Sequence, residues 1–351
     1  MNKEIKIGNR IIGDNHPSFI IAEMSGNHNH DYNRAEAIVR AAKEAGADAI
    51  KLQTYTADTI TLNSDNECFM TNKEGLWAGQ TLYSLYQKAY TPWEWQPKLK
   101  KLADELGIIL FSSPFDESAV DFLETMDVPA YKIASFEITD VGLIRKVAKT
   151  KKPVIISTGV ADLGDLALAL KICKEEKNDN IMLLKCTSAY PAPYSDMNLR
   201  MISNLKETFD CCVGLSDHSV GDEITLAGVA LGANAVEKHF ILNRADGGVD
   251  SAFSMEFEEM KNMVKRIRNI EQAFGKVSYE LTEKQKKQRH SARSLFASKN
   301  IKKGEKFTKD NIKSVRPSNG LHTKYFDEII GKTAAHDISF ATPLTFSDIN
   351  W

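Results

Sequence analysis

At 351 residues the chain is longer than one ordinary domain, and suits either two domains or one large α/β barrel with an appendage. A composition of 42% hydrophobic and 26% charged residues, with 20 Gly and 10 Pro, excludes intrinsic disorder and a fibrous repeat. The formal net charge of −2 argues against a general nucleic-acid binder.

The first residues, MNKEIKIGNR, hold no apolar signal region, and no run of about 18 apolar residues occurs. The five cysteines are odd in number and form no CxxC pair, so neither a disulfide framework nor a membrane span is expected, and a reducing cytoplasm is. IKIGNRIIG then reads as a two-stranded hairpin, a plug for the floor of a barrel. Eight short apolar segments of strand type follow: Phe19–Glu23, Ala49–Gln53, Ile108–Ser113, Ala130–Ser135, Val154–Thr158, Ile181–Thr187, Val213–His218 and Ala235–Phe240. Amphipathic helices are predicted after them, at Arg34–Ala45, Glu94–Leu106, Glu117–Met126, Leu143–Ala148, Leu166–Lys177, Leu199–Phe209, Glu223–Leu231 and Phe257–Phe274. Continuous apolar strands alternating with helices predict a parallel sheet covered on both faces, and an eight-fold repeat predicts a (β/α)8 TIM barrel. One interval is too long for a βα unit and contains an insertion of roughly 54–91, rich in Thr, Asn, Tyr and Trp.

Past Gly275 the pattern changes. A barrel domain is expected over 1–276, a polar linker over 277–290, and a small module of short strands and turns over 291–351. From Glu280 onward 14 Lys/Arg stand against 8 Asp/Glu, a net of +6, while the preceding residues carry 31 against 39, a net of −8. That basic tail reads as a solvated face, a nucleic-acid arm, or a module docking on an acidic partner.

A (β/α)8 enzyme places its site at the C-terminal strand ends. Here every strand ends on reactive side chains: Glu23; Lys51 and Gln53; Ser112 and Ser113; Lys132, Ser135 and Glu137; Ser157; Lys185 and Ser188; Ser216, Asp217 and His218; Glu237, Lys238 and His239. Such a ring costs free energy unless it is paired or used. His218 and His239 end adjacent strands, about 4.8 Å apart, and are candidate ligands of one divalent cation with open positions. Two hydrogen-bonded histidines are the plainer alternative, and His28 with His30 is a rival ligand pair. Lys51, Lys132 and Lys185 are expected at one mouth, suiting a phosphate or carboxylate; a Schiff-base lysine is the alternative. Glu23 and Glu137 suit proton transfer. Cys186 reads as a small core residue, because no histidine follows it closely. Trp77 is expected in packing or as a cover over the mouth.

The strings IAEMSGNHNHD, ADAIKLQTY, FSSPFDE, AYKIASFE, LLKCTSAYPAPYSDMNL, VGLSDHS and ALGANAVEKHF resemble, in that order, the sialic acid synthase family. ARSLFASKNIKKGEKFTKDNIKSVRPSNGL resembles the antifreeze-like (SAF) domain of that family, a β-clip module. TLNSD, GLW, SFE and KCTSAYP are most similar to its pseudaminate-forming branch, with the legionaminate and neuraminate branches as alternatives. The resemblance implies condensation of phosphoenolpyruvate with an N-acetylated amino sugar, 2,4-diacetamido-2,4,6-trideoxy-L-altrose in that branch, to a nine-carbon α-keto acid and phosphate. It implies a divalent metal on His218 and His239, manganese first, with magnesium or cobalt as alternatives. Lys51, Ser113, Lys132, Ser135, Ser157, Ser188 and Ser216 match positions that bind phosphoenolpyruvate. Glu23, Gln53, Glu137, Tyr190 and Asp250 match sugar-side or catalytic positions. Arg316 matches the arginine that this domain inserts into the partner's barrel, which implies a domain-swapped homodimer. The rival classes are a pyruvate aldolase using a Schiff-base lysine and a sugar-binding protein without turnover.

Overall fold

Eight short parallel strands close on themselves because each is apolar on both faces and each connection is a helix that returns the chain to its start. The computed structural model describes residues 1–351, in two units divided at Gly275 and Lys276. In the first, strands β1 (Ile5–Ile7) and β2 (Arg10–Ile12) pair as an antiparallel hairpin. The barrel strands are β3 (Phe19–Glu23), β4 (Ala49–Thr54), β5 (Ile109–Pro114), β6 (Tyr131–Ile133), β7 (Val154–Ser157), β8 (Ile181–Cys186), β9 (Cys212–Asp217) and β10 (Ala235–His239), and β10 pairs with β3 to close the barrel.

The helices of this unit are α1 (Tyr32–Glu44), α2 (Ala57–Ile60), α3 (Leu82–Ala89), α4 (Gln96–Leu106), α5 (Glu117–Thr125), α6 (Val141–Lys149), α7 (Leu163–Glu175), α8 (Met201–Phe209), α9 (Glu223–Ala230) and α10 (Phe257–Phe274). Four of them start on an aspartate, Asp31, Asp116, Asp140 and Asp162, whose carboxylate accepts from backbone N–H groups of the first turn. The insertion contains α2 and α3. No helix is long and apolar enough to cross a membrane.

Alternation along the strands builds two cores. Ile20, Ile50, Leu110, Ile133, Ile156, Leu183 and Val236 face outward and pack against the helices. Phe19, Ile21, Ala49, Phe111, Ile155, Met182 and Leu184 face inward, and Ile5, Ile7 and Ile12 of the hairpin pack beneath them. The hairpin therefore seals the end of the barrel away from the strand C-termini. β6 is shorter than the sequence suggests, because the chain turns at Ser135–Thr139 into a 3-10 segment carrying Ser135 and Glu137.

The second unit contains α11 (Glu283–Gln288), the antiparallel pair β11 (Ser294–Ala297) and β12 (Ile312–Val315), α12 (Phe326–Ile329), and the short pair β13 (Thr333–Ala334) and β14 (Ile349–Asn350). Leu295, Phe307, Ile312, Ile329 and Leu344 are fully buried at its centre. The stretch expected as a bare linker carries α11, started by the Thr282 hydroxyl in a capping box with Gln285.

Candidate active site

The period of two sorts the polar strand ends. Since Phe19, Ala49, Phe111, Ala130, Ile155, Leu184, Cys212 and Ala235 face the interior, so do Glu23, Lys51, Gln53, Ser113, Lys132, Ser157, Cys186, Ser216, Glu237 and His239 at even steps along the chain. Ser112, Lys185, Asp217 and Lys238 fall on the other parity and face the helices. This corrects the grouping of Lys185 with Lys51 and Lys132: its ammonium donates to the Cys186 carbonyl at 2.6 Å and to Thr187 Oγ1 at 3.0 Å, outside the mouth.

Two lysines and two carboxylates form the floor of the mouth. Lys51 Nζ lies 3.2 Å from Glu23 and 3.1 Å from Glu237, and Lys132 Nζ lies 3.7 Å from Glu237. Gln53 donates to Glu23 Oε1 at 2.8 Å, and Ser216 donates to Glu237 Oε1 at 3.2 Å. All four ionisable groups are buried. Burial opposes ionisation of Glu237, yet Lys132 and Lys51 outweigh it and hold the carboxyl at about 2. Burial raises the Glu23 pKa, only partly offset by Lys51. The two carboxyls of the pair are thus pushed in opposite directions, Glu237 down by the lysines and Glu23 up by burial. Burial lowers Lys132, whereas at Lys51 the two carboxylates outweigh burial and raise it. A lysine held protonated between two carboxylates is the opposite of what a Schiff-base nucleophile needs. Glu237 stood in the ring of strand ends without a role assigned; its alternation with Lys238 was the available signal.

Beside this floor, Ser135 and Ser188 face Gly159. The Gly159 N–H donates to Ser135 Oγ at 3.2 Å, and a Cβ at Gly159 would lie 2.7 Å from that oxygen and closer still to Ser188 Oγ. Glycine here lets the two hydroxyls close on the backbone, gathering one N–H and two O–H groups that could turn toward an oxyanion. Burial pushes the half-buried Glu137 carboxyl up to about 7, within range for proton transfer at neutral pH. Of eight buried side-chain polar atoms without a hydrogen bond, six belong to this mouth: on Glu23, Ser113, Glu137, Ser157, Glu237 and His239. Orphaned polar atoms elsewhere in a core are a cost; gathered in one cleft they mark a polar ligand site.

His218 and His239 stand side by side, ring centroids 5.2 Å apart. His218 Nδ1 donates to the Thr187 carbonyl at 3.0 Å, leaving Nε2 as its lone-pair nitrogen. His239 Nδ1 is buried with no hydrogen bond, 3.7 Å from Asp250 Oδ2, and burial holds its pKa well below the usual imidazole value. The His218 Nε2 lone pair, the orphaned nitrogen of His239 and a nearby carboxylate fit a divalent cation. Asp250 in turn accepts from Ser25, which also accepts from Gln53 at 3.1 Å. His28, the rival ligand, uses both ring nitrogens: one contacts Thr91 Oγ1 at 3.1 Å and the other accepts from the His30 N–H at 3.1 Å. It is a hydrogen-bonded structural histidine.

Cys186 is not an ordinary core residue. Its Sγ lies 3.8 Å from His218 Nδ1 and 3.6 Å from Ser135 Oγ, and although burial opposes ionisation, the His218 contact lowers the thiol to about 6. The histidine that sequence distance hid is supplied by the neighbouring strand.

The wall above the histidines is aromatic. Tyr190 packs 4.5 Å from His218, Phe253 packs 4.9 Å from His239, and Trp77 packs 5.4 Å from Tyr190. Trp77 also donates to the Val249 carbonyl at 2.8 Å, so the insertion covers the mouth and ties down the loop that carries Asp250. Next to it opens a cavity of about 340 Å3 lined by Asn29, Trp77, Gln80, Lys88 and Val249 among others. Arg316 lies in the second unit, exposed, just after β12.

With this geometry in view, the likenesses are specific. The chain is 51% identical over 330 residues to the pseudaminic acid synthase of Campylobacter jejuni, covering 94% of this chain and 96% of that protein. It is 46% identical to the pseudaminic acid synthase of Helicobacter pylori, covering 95% and 98%. Among solved structures, the N-acetylneuraminic acid synthetase of Leptospira borgpetersenii, in complex with citrate, superposes with a TM-score of 0.73 at 32% identity, covering 82% of this chain and 95% of that one. Residues 292–350 match the SAF domain. Residues 38–279 match the NeuB family, and the chain belongs to that family.

Proposed function

We propose that this chain is a pseudaminic acid synthase: it condenses phosphoenolpyruvate with 2,4-diacetamido-2,4,6-trideoxy-L-altrose and releases phosphate. The observation that carries the reading is a mouth whose buried, orphaned polar atoms suit an anionic substrate, in a chain 51% and 46% identical to two pseudaminic acid synthases but 32% identical to an N-acetylneuraminic acid synthetase.

Lys51, Lys132, Ser113 and Ser157 would take the carboxylate and phosphate of phosphoenolpyruvate, with Ser135, Ser188 and the Gly159 N–H as the phosphate cradle and Ser216 beside Glu237. Glu237 lies between both ammonium groups, raising Lys51 and opposing the effect of burial on Lys132. Gln53, Tyr190 and Asp250 face the sugar. His218 and His239 would hold a divalent cation, manganese first, with magnesium or cobalt as alternatives, whose chemistry is to polarise the sugar's aldehyde. The methylene carbon of phosphoenolpyruvate attacks the aldehyde carbon, water adds at the resulting cationic centre, and the tetrahedral adduct loses phosphate by C–O cleavage. The lysines stabilise anionic charge throughout these steps. Glu23, whose carboxyl burial raises beside Lys51, is the first choice for proton transfer at Oε2, and Glu137 the second. The aromatic wall of Trp77, Tyr190 and Phe253 excludes water from the histidine side.

A cytoplasmic homodimer completes the reading. Its supports are five free cysteines, an exposed Arg316 in the basic second unit, and the opposite charges of the two chain segments. A substrate panel tests the whole: phosphoenolpyruvate and manganese with the altrose derivative, the legionaminate precursor or N-acetylmannosamine. Phosphate release is expected fastest with the altrose derivative and lost with EDTA; turnover of only N-acetylmannosamine would reject the assignment.

A further inference from the structure

Behind the histidine pair, on the other face of the same strands, lies a charged cluster that the reaction above does not use. Asp217 and Lys238 each directly precede one of the histidines and stand opposite each other in register on β9 and β10. Alternation turns them away from the mouth, into the layer between strands and helices. Lys238 Nζ lies 2.8 Å from Asp217 Oδ2 and donates to the Ser219 carbonyl at 2.7 Å. Asp217 Oδ1 accepts from the Ser219 N–H at 2.8 Å and from its hydroxyl at 2.6 Å, and Oδ2 accepts from Thr225 Oγ1 of α9 at 2.7 Å. Both charged residues are 1% exposed.

At the same level on the next three strands, register partners place Ala22, Ile50 and Leu110, all apolar. A buried ion pair adds little net stability over well-packed apolar residues, so general stability does not account for one here. Its connections do. One carboxylate ties together the residues before and after His218, the residue before His239, and the first turns of α9. The His218 ring is held from the opposite side by the Thr187 carbonyl. Each histidine therefore has its backbone fixed from behind while its ring faces the mouth.

We propose that Asp217 and Lys238, with Ser219 and Thr225, form a positioning clamp that sets the separation of His218 and His239 for a single divalent cation. The proposal rests on reading those histidines as ligands. These are positioning residues, since none of them faces the mouth. Outer partners of metal ligands are worth about 10- to 100-fold in metal affinity or activity.

The test titrates manganese into the full-length chain by electron paramagnetic resonance, for the native protein, His218→Ala, Thr225→Val, Lys238→Arg and the double variant D217N/K238M. The double variant removes both charges together, so no unpaired ion stays buried. The clamp requires its manganese Kd to rise about 10-fold or more, with a metal-free melting temperature close to the native one. Thr225→Val should show a smaller rise and Lys238→Arg a near-native Kd. The manganese concentration for half-activation should move in parallel, while the KM for phosphoenolpyruvate stays unchanged and excess manganese restores kcat. A folded double variant with native manganese affinity overturns the clamp; should that variant not fold, native affinity in Thr225→Val does the same. Equal manganese binding by the native chain and His218→Ala instead overturns the ligand reading, and the clamp with it, before any clamp variant is compared.

Discussion

Gly159 shows how one missing side chain makes a site. Its N–H and its bare Cα face two hydroxyls, and a methyl group there would collide with both and force them out of place. Gly159→Ala should therefore fold normally and raise the KM for phosphoenolpyruvate with little change for the sugar, by about 100-fold if the phosphate is displaced by an ångström. Steady-state kinetics against each substrate separates the two; an unchanged phosphoenolpyruvate KM would remove Gly159 from the cradle. Glu137 makes a second expectation, in pH. Its carboxyl is raised by burial to about 7 from an ordinary value of 4.5, so it is protonated below neutrality and ionised above. Its contribution to stability is whole below about 4.5 and is lost as pH rises through 7. Glu137→Gln should remove an ionisation near pH 7 from the kcat/KM profile and should reduce the loss of melting temperature between pH 5 and 8. A profile identical to the native one would exclude Glu137 from proton transfer.

Among the elements, the strands were the most legible part of the sequence, because a buried parallel strand must be apolar along its whole length and is therefore visible as a short block. All eight segments read as strands are strands, with no end shifted by more than two residues. Composition blocks do not show which face a side chain takes, and grouping Lys185 with Lys51 and Lys132 was the result. Counting parity from Leu184, an inward residue, separates them. The insertion was legible as an interruption, with packing and a cover over the mouth as the two readings of Trp77; what ties it down was not, since the contact of Trp77 with Val249 spans 172 positions. Trp77→Ala is expected to loosen the Asp250 loop, raising the sugar KM by about 10-fold or more while sparing the KM for phosphoenolpyruvate. Equal effects on both substrates would mean that Trp77 supports the mouth as a whole.

At the scale of the whole molecule, charge is the informative quantity. The split of −8 and +6 between the chain segments suits association of basic and acidic surfaces rather than nucleic-acid binding. Light scattering should give twice 39.2 kDa. Arg316→Ala should remain dimeric and lose about 100-fold in turnover. Mixing Arg316→Ala with Glu23→Gln should recover part of the activity if the arginine serves the partner's barrel, because one site of the mixed dimer then has both groups. No recovery on subunit exchange would place the arginine's effect within its own chain.

The sequence by itself determined the eight-stranded barrel, the hairpin beneath it and the change of character past Gly275, because these depend on periodicity and turn chemistry, which are local. It also placed glutamates, lysines and histidines at the strand ends. The tertiary structure decided what those groups are to one another: that Glu237 meets both Lys51 and Lys132, that Cys186 meets His218, that His28 is spent on Thr91 and His30, and that Asp217 and Lys238 pair behind the histidines. Each of these is a contact across neighbouring strands or loops. A pKa, an ion pair or a pair of ligands is set by distance in space, and in a closed barrel residues far apart in sequence become neighbours only when the sheet closes.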